Sequence, residues 1–310
     1  MGIVVIGAVF VDIKGFPDEA YIPDGRNVGR IEYIHGGVCR NVAEDIANVE
    51  LRPTFISIVD DSALGADVLK KLNNHRVDTR YIQKIPGGMG TWLAVFDNHG
   101  DLAGSISQRS DMMPIMKILE ENGDEIFSQA DSIVVQADMH KDLMKKVFAL
   151  ADKYKKKIFA IVSNMSIAVE RRDLLQKVDC FVCNQLEAGM LFADDYSEKE
   201  PAELCEILAE RVMLGKIPAM IVTMGGKGSV YADMKGNKGF CPARQVMVKD
   251  TTGAGDAFFA GVTIGLTYGK TLAEATQIGT NLAASVITSS ENVCPRFLPR
   301  ELGLDMDPIE

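Results

Sequence analysis

No apolar run in this 310-residue chain approaches the roughly 20 residues that a membrane-crossing helix needs. The opening stretch MGIVVIGAVFVDI has no basic leader segment and carries an acid, so a buried strand is expected there rather than an export signal. A cytoplasmic protein without a membrane partner is the expectation. Cysteine is sparse: six residues at irregular spacings do not make a disulfide framework. Cys180 and Cys183, in VDCFVCNQ, have CxxC spacing but no second pair and no nearby histidine, and read as buried thiols acting as small hydrophobes. His35, His75, His99 and His140 are scattered, so no zinc site is expected. Positive charge is in deficit, 33 Lys and Arg against 43 Asp and Glu, and the net charge of -10 argues against nucleic acid as a partner.

Familiar nucleotide loops are missing as well. GLTYGKT, from Gly265 to Thr271, has three residues between its glycines where a P-loop has four, and it follows a helix rather than a strand. MGGKGS, from Met224 to Ser229, falls short of GxGxxG, and no GxGxxG follows the first apolar strand, which weighs against a Rossmann dehydrogenase. There is also no Pro-, Gly- or Ser-rich linker, no internal repeat and no low-complexity tract. Residues 1–310 are therefore read as one domain.

What the chain does contain is alternation. Apolar, β-branched runs (IVVIGAV, RPTFISIV, SIVVQA, KIFAIVS, CFVCN, AMIVTMG) alternate with amphipathic stretches at Val38–Asn48, Ala63–Asn73, Lys141–Tyr154, Pro201–Leu214, Gly255–Tyr268 and Leu272–Ser289. Such alternation predicts an α/β fold with a mostly parallel sheet between two helical layers, its ligand crevice at the carboxyl ends of the strands. Two segments, approximately 14–35 and 79–107, instead alternate apolar and polar residues between Gly-rich turns and predict a small β-lid.

The chemistry gathers in KDTTGAGDAFFAG, from Lys249 to Gly261. Asp256 in the opening turn of a helix could simply favour the helix dipole. The small residues Gly253, Ala254 and Gly255 before it also let a ligand approach the backbone, and N–H groups at a helix mouth suit phosphate or a developing negative charge. A carboxylate beside that site could take the proton of an attacking hydroxyl. Asp12, after an apolar strand, stands where α/β sheets bind ligand. Asn41, after a Gly-Gly turn, could be a helix cap or a partner for vicinal hydroxyls.

DTTGAGDAFFAG resembles the C-terminal motif of the ribokinase-like (PfkB) carbohydrate kinases, and four further segments resemble that family in the same order: IGAVFVDIKG, HGGVCRNVAEDIA, CNQLEAGML and VTMGGKGS. The resemblance spans nearly the whole chain. It implies a three-layer α/β/α sandwich with a β-lid, and transfer of the ATP γ-phosphoryl group to a sugar or nucleoside hydroxyl with Mg2+. It implies Asp256 as base and Gly253, Ala254 and Gly255 as anion hole, with Asp12, Gly36, Gly37 and Asn41 on the acceptor. Asn184 and Glu187 would organise magnesium and phosphates through water, and Thr223, Gly225 and Gly228 would face ATP. Asn281, with Ala283 and Ala284, falls in the region expected for the adenine; helix packing is the other reading. Asp250 and Thr252 match positions that help hold K+ in many members, or else form a local turn.

GGVCRN, GRNVGRIEYIHGG, DNHGDLAGSISQRSDM and SSENVCP resemble the pseudouridine kinases within that family. Pseudouridine, phosphorylated on its primary 5′-type hydroxyl, is thus the expected acceptor, with ribose or another sugar as the alternative. Arg40 could bond a base carbonyl or a phosphoryl oxygen, or be a solvated helix-surface charge. Asp111 is the other acceptor-side candidate, although SQRSDM departs from the expected Asn-Asp-Met, and Cys39 stands where a glycine is common. A closing lid would exclude water from the transfer. Ile31, Tyr33, Trp92 and Leu93 would either roof the pocket or pair two lids in a homodimer. A non-catalytic nucleoside sensor would keep the same fold without transfer.

Overall fold

Strand β1 (Val4–Ile6) carries no polar side chain, so both of its faces must be covered, and the computed structural model, which describes residues 2–170 and 172–305, shows what covers them. From β1 the chain enters β2 (Phe10–Pro17) and β3 (Gly29–Gly36), then α1 (Val38–Asn48), β4 (Thr54–Val59), α2 (Ala63–Asn74) and β5 (Ile82–Lys84). Strands β6 (Gly90–Phe96) and β7 (Leu102–Gln108) precede α3 (Ile115–Glu121), α4 (Gly123–Gln129), β8 (Ser132–Gln136), α5 (Lys141–Tyr154) and β9 (Lys157–Ile161). Short helices α6 (Met165–Val169) and α7 (Arg172–Leu175) lead to β10 (Cys180–Asn184), α8 (Gln185–Phe192), α9 (Pro201–Gly215) and β11 (Ala219–Thr223). The hairpin β12 (Ser229–Asp233) and β13 (Lys238–Cys241), then α10 (Ala254–Thr267) and α11 (Leu272–Ile287), complete the fold.

Nine strands form the main sheet, in the order β13-β12-β11-β10-β9-β8-β1-β4-β5. From β11 to β5 every pair is parallel; β12 and β13 add an antiparallel edge. The period-two alternation of the strands sorts their side chains into two cores. Val4 and Ile6 face one that includes Ile115, Phe127, Leu143, Val147 and Leu208 from α3, α4, α5 and α9. Val5 faces the other, with Val42, Val68, Phe259 and Leu282 from α1, α2, α10 and α11. Helices cover both faces, giving a ribokinase-like three-layer α/β/α sandwich. The same alternation disposes of the CxxC: Cys180 lies in one core and Cys183 in the other, and all six thiols are free and buried.

Strand β1 lies between β4 and β8, with the chain leaving toward different helical layers on its two sides. This switch point opens a crevice at the carboxyl ends of the strands, and β2 rises directly from it. Strands β3-β2-β6-β7 make a separate four-stranded sheet. It begins at Phe10, before the expected residue 14, and residues 82–84 belong to the edge of the main sheet instead, because β5 runs parallel to β4. In register, Asp12 pairs with Trp92, placing both on one face, whereas Ile13 pairs with Tyr33 and Leu93 on the other. Trp92 therefore does not share a surface with Tyr33 and Leu93, which are 58% and 41% exposed. Among the described residues no helix is long and apolar enough to cross a membrane.

Phe127 is wholly buried on α4, away from the crevice. Phe127→Ala should cost about 3–5 kcal/mol of unfolding free energy in urea titrations while leaving turnover per folded molecule unchanged.

Candidate active site

Helix α10 begins at the crevice because Gly253 can take a left-handed turn there (φ 81°). A Cβ on Gly253 would lie 2.0 Å from the Asn292 carbonyl oxygen, so no other residue fits. Gly255 has the opposite environment: exposed, with nothing within 4 Å of where a Cβ would stand. The helix mouth is open to a ligand at that point. Ala254 donates its N–H to the Thr251 carbonyl at 3.2 Å, so that donor is engaged within the turn. The N–H groups of Gly255 and Asp256, next in the unpaired first turn, are left for an anion.

Asp256 turns back into the protein, where the Asn41 amide donates Nδ2–H to its Oδ2 at 2.7 Å. Burial raises the Asp256 carboxyl to about 7, opposed by the Asn41 bond and the Arg40 charge and reinforced by Asp12 and Glu187. A carboxylate held near neutrality can both accept a proton and release it. Asn41 is not the cap of α1; Gly37 holds that position, with φ 100° and backbone atoms of Ala8 and Phe10 within 2.9 Å of where a Cβ would be. Gly36 leaves room for Asp12, whose carboxylate oxygens lie 2.8–3.0 Å from the missing Cβ. Asp12 is itself pushed up, chiefly by burial, against the pull of Lys14 and Arg40.

Neither reading of Arg40 survives. Its side chain is neither solvated nor open to a substrate: it is 0% exposed and bonds to Glu44, the His35 carbonyl and Asn41. The helical face that suggested a surface charge is turned inward because α1 packs against α10 and the sheet. Asp111 is exposed, and its Oδ1 accepts the Met113 N–H at 2.9 Å, a local turn ahead of α3 rather than a contact with Asp12 or Asn41.

Beside the helix mouth lies a cavity of about 340 Å³. Thr223, Gly225 and Gly228 line it together with Ala254, Gly255 and Phe258 of the α10 start, and Thr280, Ala283, Ala284 and Ile287 of α11. Asn281 does not: one step round the helix, its Oδ1 accepts from Gln277 at 3.2 Å. The Asn-x-x-Glu pair is a capping box on α8, with Asn184 Oδ1 accepting the Glu187 N–H and Glu187 Oε2 accepting the Asn184 N–H, both at 2.8 Å. The Glu187 carboxyl is raised by burial and by the negative charge of Asp138. Among the described residues no group of three or more His, Cys, Asp or Glu is placed to hold a metal ion. Magnesium bound mainly through water and phosphate needs only one or two carboxylates, so a crowded, half-buried Glu187 fits such a role. Asp250 Oδ1 accepts the Thr252 N–H at 2.8 Å, which lowers the Asp250 carboxyl: the pair forms the local turn.

Two groups went unnoticed in the sequence. Asp138, at the end of β8, is 4% exposed and accepts hydrogen bonds from Arg109, Gln136 and Ser163, tying the segment after β7 to the crevice. Asn292, in the tail SSENVCP, donates to the His35 carbonyl at 2.9 Å and to Asn41 Oδ1 at 3.4 Å. No short motif marks either, because the bonds of Asp138 with Arg109 and Ser163, and of Asn292 with His35 and Asn41, each span more than 20 residues.

A near-neutral carboxylate at an anion-binding helix mouth suits phosphoryl transfer to an alcohol, and the fold and site together define an ATP-dependent kinase of carbohydrates or nucleosides. The family model described as pfkB family carbohydrate kinase matches residues 2–294. The chain belongs to the pfkB family. It is 34% identical over 292 residues to guanosine-inosine kinase from Exiguobacterium acetylicum, covering 94% of this chain and 95% of that protein. Pseudouridine kinase from Escherichia coli (strain K12) is 26% identical over 265 residues, covering 84% and 82%. The structure of Arabidopsis thaliana ribokinase complexed with ribose and ATP superposes with a TM-score of 0.84 at 19% identity, over 98% of this chain and 99% of that one.

Because the folded chain keeps a proton on Asp256 up to about pH 7 that the unfolded chain releases near pH 4, this group makes stability fall as pH rises through that window. Asp256→Asn should therefore melt higher than wild type at pH 8, with the gap shrinking toward pH 5. A gap independent of pH contradicts the raised carboxyl.

Proposed function

We propose that this protein phosphorylates the 5′-hydroxyl of a ribonucleoside at the expense of ATP, with guanosine and inosine as the first acceptors to test and pseudouridine next. The observation that carries the reading is Asp256, held by Asn41 between the acceptor side, marked by Asp12 and Gly36, and the open helix mouth beside the cavity. The choice of purine nucleosides over the pseudouridine expected from GGVCRN rests on 34% identity to a guanosine-inosine kinase against 26% to a pseudouridine kinase.

In this reading ATP occupies the cavity, its γ-phosphate against the N–H groups of Gly255 and Asp256. Asp12 orients the acceptor's hydroxyls. The acceptor oxygen forms a bond to the γ-phosphorus as the bond from that phosphorus to the β-bridging oxygen breaks; the alcohol proton passes to Asp256, and ADP leaves with the electron pair. Magnesium, when bound near Glu187, supplies positive charge to the phosphates. The protein's contribution is alignment and a fixed electrostatic environment more than covalent chemistry.

Asp256→Asn should lower kcat by about 10²–10⁴ while changing KM for ATP little. Full turnover by this variant sinks the assignment of the base. Acceptor-dependent ADP release, measured with guanosine, inosine, pseudouridine, adenosine, ribose and fructose, should give its highest kcat/KM with a nucleoside. A preference for free ribose or fructose contradicts the acceptor class, and tight nucleoside binding without ADP release supports a sensor instead.

A further inference from the structure

Arg40 and Glu44 lie one turn apart on α1, both 0% exposed. Burying an ion pair is rarely a gain in stability over two apolar side chains of similar size, so this one needs another reason to be there. Its geometry supplies one. Glu44 anchors Arg40 Nη2, while Nη1 donates to the His35 carbonyl at 3.1 Å and to Asn41 Oδ1 at 2.8 Å. Asn292 donates to the same Oδ1 at 3.4 Å. With two donors converging on its oxygen, the Asn41 amide can present only its NH2 group to Asp256, as the 2.7 Å contact requires. A flipped amide would set oxygen against carboxylate.

We infer that Arg40, anchored by Glu44, is a positioning residue for phosphoryl transfer: it locks the Asn41 amide so that Asp256 Oδ2 is occupied and its other oxygen is left for the acceptor hydroxyl. The inference rests on the reading of Asp256 as the base. The guanidinium also adds positive charge behind a carboxylate that would otherwise be harder to ionise. Asp12 on β2 and Glu187 on α8 raise the Asp256 carboxyl, and Asp45 and the Cys39 thiol on α1 interact with it as like charges when ionised; Arg40 favours the ionised form. Lys71 on α2 and His75 just after it reach the far oxygen of Glu44 at 3.7 and 3.4 Å, so the anchor is itself held by partners outside α1.

The test uses the full-length enzyme, with melting temperature as a check on folding and the acceptor and ATP kinetics measured across pH. Replacing the whole pair, Arg40→Met with Glu44→Met, keeps volume and leaves no lone buried charge. It should lower kcat about tenfold or more with KM for ATP within about twofold, and move the acidic limb of kcat/KM upward by about one pH unit, as loss of a nearby cation requires. Arg40→Lys keeps the charge but not the fork; it should lower kcat with the acidic limb in place. A folded double variant with wild-type kcat and an unmoved acidic limb overturns the inference. If the double variant does not fold, Arg40→Lys decides: turnover within about twofold of wild type overturns it, and a lower kcat on an unmoved limb supports it. Asp256→Asn separates the two levels. Full activity there removes the base itself, whereas an inactive Asp256→Asn beside wild-type-like Arg40 variants removes only the role of Arg40.

Discussion

The Asn41 amide on α1 holds the Asp256 carboxylate on α10, 215 residues away. Everything that gives the site its chemistry converges there. The left-handed turn at Gly253 aims α10 at the crevice, the tight Gly36-Gly37 corner brings α1 beside it, and the Asn292 carbonyl closes the space in which Gly253 alone fits. The layered fold is the means by which two distant helices are held to a contact of 2.7 Å. Packing on both faces of the sheet leaves neither helix free to move along its axis without opening a void.

That contact also settles a conflict of energies. Burial favours a neutral Asp256, and Asp12 and Glu187 push in the same direction; the Asn41 bond and the Arg40 charge favour the anion. The balance near neutrality is what general-base chemistry on an alcohol needs. A fully solvated aspartate would be a weaker base, and without the Asn41 bond and the Arg40 charge burial would raise the carboxyl further. The raised carboxyls of Asp12 and Glu187 belong to the same acidic crevice, which the cationic equipment of bound ATP would relieve.

Much of this was legible because the fold writes strong local periodicity. The bounds of α1 and α5 follow from their apolar stripes, and the parallel strands from runs such as SIVVQ that are buried from end to end. The short helices α3 and α4 and the edge hairpin β12–β13 were not, since seven-residue helices and edge strands carry too few turns or alternations to stand out. At the site, residues fixed by backbone shape were visible: Gly253, Gly36 and Gly37 sit where a side chain collides. Residues whose surroundings are set by the packing of whole helices were misread or unseen. Arg40 looks like a surface charge until Glu44 is found buried with it, and Asn281 misses the cavity by one step of the helix while Thr280 and Ala284 line it. Cys39, at a position where glycine was expected, is accommodated from the other side: its sulfur packs 2.4 Å from where a Cβ on Gly7 would be, so the missing side chain of Gly7 leaves it room.

The most direct measurement of the central claim is a crystal structure of the complex with a nucleoside acceptor and a non-transferable ATP analogue. The account predicts the acceptor's 5′-hydroxyl within hydrogen-bond reach of the Asp256 oxygen that Asn41 leaves open, with the terminal phosphate against the N–H groups of Gly255 and Asp256. A ternary complex in which the hydroxyl and the terminal phosphate meet elsewhere, with Asp256 facing only protein, would contradict it.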